Sequence, residues 1–191
     1  MTSTRDRILG SALSLFAEQG YDRVSIAAIR EHSGVSNGSF FHAFASKSDL
    51  AGELYSTILA EYHDRLLDAV SDRPAADGIA ALIRANVEWV VDRRPEADFL
   101  LQQARQDWLA ESRDDRRTAN ARLADGLSAW AESLIASGRL HALPMSLLIA
   151  ELIGPAQIIC RAWLAGRTSD DPRDALPGLI ACAERALLSP G

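Results

Sequence analysis

The chain has 191 residues, 48% of them hydrophobic, and a formal net charge of -6. That length accommodates one domain with a sizeable core, or a small domain joined to a larger one. No uninterrupted apolar run approaches the roughly 18 residues of a membrane span. The charged start MTSTRDRILG lacks the apolar centre of an export signal, and Cys160 and Cys182 provide no disulfide framework. A cytoplasmic protein with no membrane partner is expected.

The acidic total conceals an uneven distribution. Residues 1–50 balance Arg5, Arg7, Arg23, Arg30 and Lys47 against Asp6, Glu18, Asp22, Glu31 and Asp49, so the whole deficit lies downstream. A neutral N-terminal piece on an acidic body can still bind phosphates locally, with modest and salt-dependent affinity.

Apolar spacings of three and four recur throughout and no strand-like alternation persists, which predicts an all-α protein of about nine helices. Ile8, Ala12, Leu15 and Phe16 form the stripe of a first helix that Ser3 or Thr4 can cap and Gly20 can end. Ser25 can cap a short second helix over 26–32, whose inward residues are Ile26 and Ile29. Ser33, Gly34 and Val35 interrupt the pattern, and Ser36 can cap a third helix over 37–44. Helix, glycine-containing turn and second short helix form a helix-turn-helix pattern.

Ser46 and Asp49 have the spacing of a capping box, opening a fourth helix to about residue 70 along Leu50, Leu54, Ile58, Tyr62 and Leu66. Further helices are expected over 79–91, 99–109, 111–137 and 144–165. A last one begins at Asp171-Pro172, where Pro177-Gly178 can kink or delay it. This divides the chain into a three-helix module, 1–46, and a larger helical body, 47–191.

Neither the four scattered histidines nor the two cysteines have metal-ligand spacing, and no serine has a nucleophile's context. No enzyme activity, metal or cofactor is expected.

Gly20-Tyr21, Ser25, Ile29, Gly34-Val35-Ser36, Gly38, Phe44 and Ser46-Lys47, closed by Leu50, resemble the DNA-binding signature of the tetracycline-repressor (TetR) family. Arg7, Ile8, Leu9 and Leu15-Phe16 resemble its first helix. The specific resemblance covers about 50 residues. It implies a homodimeric transcriptional regulator, most simply a repressor, that binds a palindromic double-stranded DNA operator and is released by a small-molecule effector. A non-DNA-binding adaptor on the same fold is the alternative.

Val35, Phe40 and Phe44 share an inward face, while Asn37, Gly38, Phe41 and His42 point away. Gly38 lets the backbone approach a duplex, and Asn37, Ser39 and His42 can address base edges. The helix N-termini at Ser36 and Ser46 suit phosphates, with Ser25 and Lys47 as further anchors. Members of the family usually have tyrosine where Phe41 stands, a donor at Ala43, and alanine at Arg30 and Ser33. Phe41 and Ala43 each lack a phosphate donor, for which Arg30 can compensate.

In the body, Asn86, Trp89, Phe99, Gln103, Trp108 and Trp130 can line an apolar pocket with a few polar groups. Leu152, Ile158, Ile159, Trp163, Leu179 and Ile180 exceed the apolar surface that one core-facing stripe explains. In the resembled family, two C-terminal helices per subunit form a four-helix dimer interface.

Overall fold

The computed structural model describes residues 3–102, 110 and 112–189, and among these it is helical with no strand. Its α-helices are α1 Thr4–Gln19, α2 Ile26–Ser33, α3 Asn37–Ala43, α4 Lys47–Val70, α5 Ala75–Asp92, α6 Arg94–Leu101, α7 Arg113–Ala136, α8 Met145–Leu164 and α9 Leu176–Leu187. The described residues cluster into two compact units, one of residues 1–59 with 95–116 and the other of 60–94 with 117–191.

Local chemistry accounts for the helix ends of the first unit. Ser3 and Asp6 form a reciprocal capping box at the start of α1. Ser25 and Ser36 accept from the backbone N–H groups of Ala28 and Ser39, satisfying donors that α2 and α3 cannot pair internally. The Ser46 hydroxyl accepts from Asp49 N, but the Asp49 carboxylate accepts from Ala45 N, one residue before the expected partner. Ile8, Ala12, Phe16, Ile29, Phe40, Phe44 and Leu50 are fully enclosed, and Phe99 of α6 stacks on Phe16 with ring centroids 5.5 Å apart.

In the second unit α5 packs against both α8 and α9. It begins at Ala75, earlier than the apolar periodicity predicts, with Pro74 at its N-cap. Gly78 lies in that added turn against the Trp130 ring, where a Cβ would come within 2.5 Å of the indole. A hydropathy pattern does not show this close packing, which the absence of a side chain at Gly78 allows.

Arg93-Arg94-Pro95 interrupts the chain for a single residue, because Pro95 falls in the first turn of α6, where its missing N–H is not needed. The last helix is delayed as expected: a 3-10 turn, Pro172–Ala175, precedes α9, which has Pro177 in its first turn.

Among the described residues one helix, α8, is long and apolar enough to cross a membrane by length and composition alone, with a mean hydropathy of 1.5, although Glu151, Gln157 and Arg161 interrupt it. Leu148, Leu152, Ile153, Ala156 and Cys160 of this helix are nevertheless buried within the chain.

Candidate nucleic-acid interface

The three-helix module presents one side of α3 and hides the other. Phe40 is wholly enclosed, and Phe44, the residue that ends the helix, is enclosed with it. Asn37, Gly38, Ser39, Phe41 and His42 are exposed, as are Ser25 and Ser36 at the helix starts. Val35 is half-buried. Phe41 is 49% exposed, its ring edge-on to Phe40 at 5.3 Å. The two adjacent phenylalanines therefore divide between core and surface.

Hydroxyl geometry orders the entrance to α3. Ser36 Oγ accepts from Ser39 N at 3.1 Å and lies 2.9 Å from Ser39 Oγ, so the two hydroxyls are paired with each other before any ligand arrives. The turn between α2 and α3 depends on Gly34, whose φ of 65° lies in the left-handed region that an L side chain rarely adopts. Ser33, where the resembled family has alanine, is buried and donates to Ile29 O at 2.7 Å.

Cations of the module are largely directed at its own backbone. Arg7 Nη2 donates to Ser33 O at 2.5 Å, at the C-terminal end of α2. Lys47 Nζ donates to Tyr21 O and Val24 O, both at 3.0 Å, and stands 4.2 Å from the centre of the Tyr21 ring. Arg5 Nη1 donates to Ala43 O at 2.8 Å, and its guanidinium pairs with Glu53. Hydrogen bonding to Glu53 raises the Arg5 pKa above its ordinary value.

Arg7 and Arg5 meet carbonyls at the C-terminal ends of α2 and α3, which helical pairing leaves unsatisfied, whereas Lys47 adds a second donor to Tyr21 O, already bonded to Val24 N at 3.3 Å. Lys47 thus closes the turn after α1 as well as offering a charge. Arg23 is exposed, and Arg30 is half-buried with its Nε lacking a hydrogen-bond partner. The roles of Arg5 and Arg7 escape sequence reasoning because their partners lie 26 to 48 residues away.

The expected pocket residues are dispersed. Asn86 and Trp89 share the buried surroundings of Tyr62: the Tyr62 hydroxyl donates to Asn86 Oδ1 at 2.8 Å and accepts from Gln157 Nε2 at 3.2 Å. The Trp89 and Tyr62 rings are 4.7 Å apart. Burial pushes the Tyr62 pKa above its ordinary value, raises the Cys160 thiol to about 11 and lowers His63.

Trp130 instead lines an open groove with Leu67, Val70 and Gly126, donating its indole N–H to Arg73 O at 3.0 Å. Phe99 belongs to the first unit. Gln103 and Trp108 lie outside the described residues. Of the expected dimer residues, Leu152 is taken up by the chain's own core at 1% exposure. Ile158 is 71% exposed, and Ile159, Trp163, Leu179 and Ile180 are half-buried.

Residues 8–54, which span α1, α2, α3 and the start of α4, match the family model of bacterial regulatory proteins, tetR family. Residues 8–54 thus carry the N-terminal region of the tetR family. Its similarity to the HTH-type transcriptional repressor AcnR of Corynebacterium glutamicum is 30% identity over 87 residues, covering 46% of this chain and 42% of the relative. With the HTH-type transcriptional repressor KstR2 of Mycobacterium tuberculosis it is 28% over 125 residues, covering 61% and 62%. The chain thus spans less than two thirds of the length of these relatives.

The fold of the chain is also that of the fatty acid degradation regulator FadR from Bacillus halodurans, with a TM-score of 0.79 at 14% identity, covering 96% of this chain and 95% of that one. FadR from Bacillus subtilis, solved in complex with stearoyl-CoA, gives a TM-score of 0.78 at 18% identity, covering 93% and 96%.

Proposed function

We propose that this protein is a transcriptional repressor that binds a palindromic operator as a homodimer and leaves it when a small molecule occupies its body. The observation that carries the reading is the side of α3 that bears Asn37, Gly38, Ser39, Phe41 and His42 in the open while Phe40 anchors the helix. A short helix fixed on one side and polar on the other, with a glycine that admits close approach, suits the floor of a major groove.

In this reading residues 1–46 form the DNA-binding module and 47–191 the effector-binding and dimerising body. Asn37, Ser39 and His42 read base edges, while Ser25, Ser36, Lys47 and Arg30 hold the phosphate backbone beside the Phe41 ring. Exposed Ile158, with Ile159, Trp163, Leu179 and Ile180, supports burial against a second copy. A two-fold dimer places its reading helices about one DNA turn apart.

The body supports an effector of partly apolar character. Tyr62, Asn86, Gln157 and Trp89 place hydrogen-bonding groups among apolar walls, and the FadR fold relative holds stearoyl-CoA. An effector dissociates the operator only by binding the released state more tightly, because equal affinity for both states shifts nothing.

Selection of bound duplexes from a random pool, followed by fluorescence anisotropy on the enriched sequence, tests the assignment. The expected product is an inverted repeat with half-sites about one turn apart, bound less tightly as salt rises. A chain that retains no duplex even at low salt is an adaptor and not a repressor.

A further inference from the structure

One side chain on α1 touches both α3 and α4. Arg5, in the first turn of α1, donates through Nη1 to Ala43 O at 2.8 Å, the carbonyl of the last residue of α3. Its guanidinium carbon stands 4.4 Å from the centre of the Phe44 ring, which closes α3. Its Nε donates to Glu53 Oε1 at 2.5 Å and its Nη2 to Glu53 Oε2, the two-pronged arrangement that fixes both partners in direction as well as distance. Glu53 lies in the second turn of α4.

As a source of stability this pair is poorly placed. Its side chains are 47% and 30% exposed, and ion pairs so open to water contribute little. Its geometry is nevertheless specific, and it addresses the helix that most needs a third support. α3 has seven residues, of which Phe40 alone is buried. Pivoting about that ring is resisted at its C-terminal end by the contacts of Phe44 and Arg5. The geometry points to Arg5 as a positioning residue that, through Glu53, couples α4 to the tilt of α3 and so sets whether the reading helix matches its operator. This rests on the proposed DNA-reading role of α3. Displacing Glu53 along α4 would withdraw the guanidinium from Ala43 and Phe44 together, converting movement of α4 into loss of register on DNA.

The decisive variant is Glu53→Gln in the full-length chain. It removes a negative charge beside the DNA-binding module, so general electrostatics would strengthen binding to any duplex. The coupling gives the opposite sign. Affinity for the selected operator should fall about threefold, the scale of an ion pair this open to water, while affinity for a scrambled duplex holds or rises slightly. Arg5→Lys, which keeps the charge and loses the fork, should reproduce the operator loss. If Arg5 were itself a phosphate contact, Arg5→Lys would be mild and Arg5→Ala would weaken both duplexes alike and reduce the salt slope by about one.

Operator binding by Glu53→Gln that equals or exceeds the wild type overturns the coupling. Hydrogen exchange without DNA keeps this result separate from the DNA-reading proposal. Amides at the C-terminal end of α3 should exchange about threefold faster in Glu53→Gln, with α2 unchanged. Unchanged exchange there overturns the coupling even if the chain binds no DNA at all, whereas faster exchange in a chain that binds no duplex upholds the contact and removes the reading role of α3.

Discussion

Among the described residues the first unit leaves one large apolar side chain exposed, Phe41 at 49%, whereas the second leaves Ile158 and Leu147 open on a single helix. Their polar groups differ too. Cations in the first unit reach carbonyls at the ends of helices, as Arg5, Arg7 and Lys47 do, so charge holds short helices in place. The second encloses a neutral network, Tyr62 with Asn86 and Gln157, beneath an apolar surface. The first is built to hold one surface rigid. The second gathers its exposed large apolar side chains, Leu147 and Ile158, on α8.

The sharpest way to break the first half of this contrast is Phe40→Ala. Removing a fully enclosed ring from a three-helix module costs about 3–5 kcal/mol, which so small a unit cannot absorb locally. Thermal melting should fall steeply and operator binding should disappear. Retained binding with a normal melting temperature would show that α3 does not depend on that ring.

Ile158→Glu addresses the second half. At 71% exposure the side chain has little to lose in its own chain, so folding should be preserved by circular dichroism. Multi-angle light scattering should nevertheless show monomers, since an unpaired carboxylate buried between two copies is strongly unfavourable. A dimer that survives the change moves the interface away from α8.

Helix placement in the module was legible because its signals are local. Ser3, Ser25, Ser36 and Ser46 each lie within three residues of the amide they cap, and Gly34 marks its turn by needing a conformation that others avoid. Signals from distant partners were not legible. Nothing near Lys47 announces that its ammonium closes a turn at Tyr21 and Val24, and nothing near Gly78 announces Trp130. The candidate pocket suffered most, since helical spacing groups residues by face without saying which helices meet. Trp130 accordingly lines an open groove with Leu67 and Val70, Asn86 and Trp89 gather about Tyr62, and Phe99 stacks on Phe16 within the first unit.

Tyr62→Phe tests whether the neutral network sustains the second unit. It deletes the hydroxyl that donates to Asn86 Oδ1 and accepts from Gln157, leaving a wholly buried amide short of a partner. The expected loss is about 1–3 kcal/mol in denaturant unfolding, largely recovered when Asn86→Leu is added, because removing both partners removes the unsatisfied group. Failure of the second change to restore stability would mean that Asn86 has other obligations.

The smallest expected effect bears most directly on the reading surface. Phe41→Tyr adds one hydroxyl to a ring that is already half in solvent, so its hydration in the free chain costs nothing and the melting temperature should not move. On DNA the same hydroxyl could donate to a phosphate oxygen beside α3, a neutral-to-charged hydrogen bond worth about 1 kcal/mol net. Operator affinity and scrambled-duplex affinity should therefore rise together by roughly fivefold, because a phosphate contact carries no sequence information. A gain confined to the operator would place the ring over a base edge. No gain on either duplex would mean that the exposed edge of Phe41 faces away from the backbone, and that the phosphate grip of this module comes from its helix starts at Ser25 and Ser36.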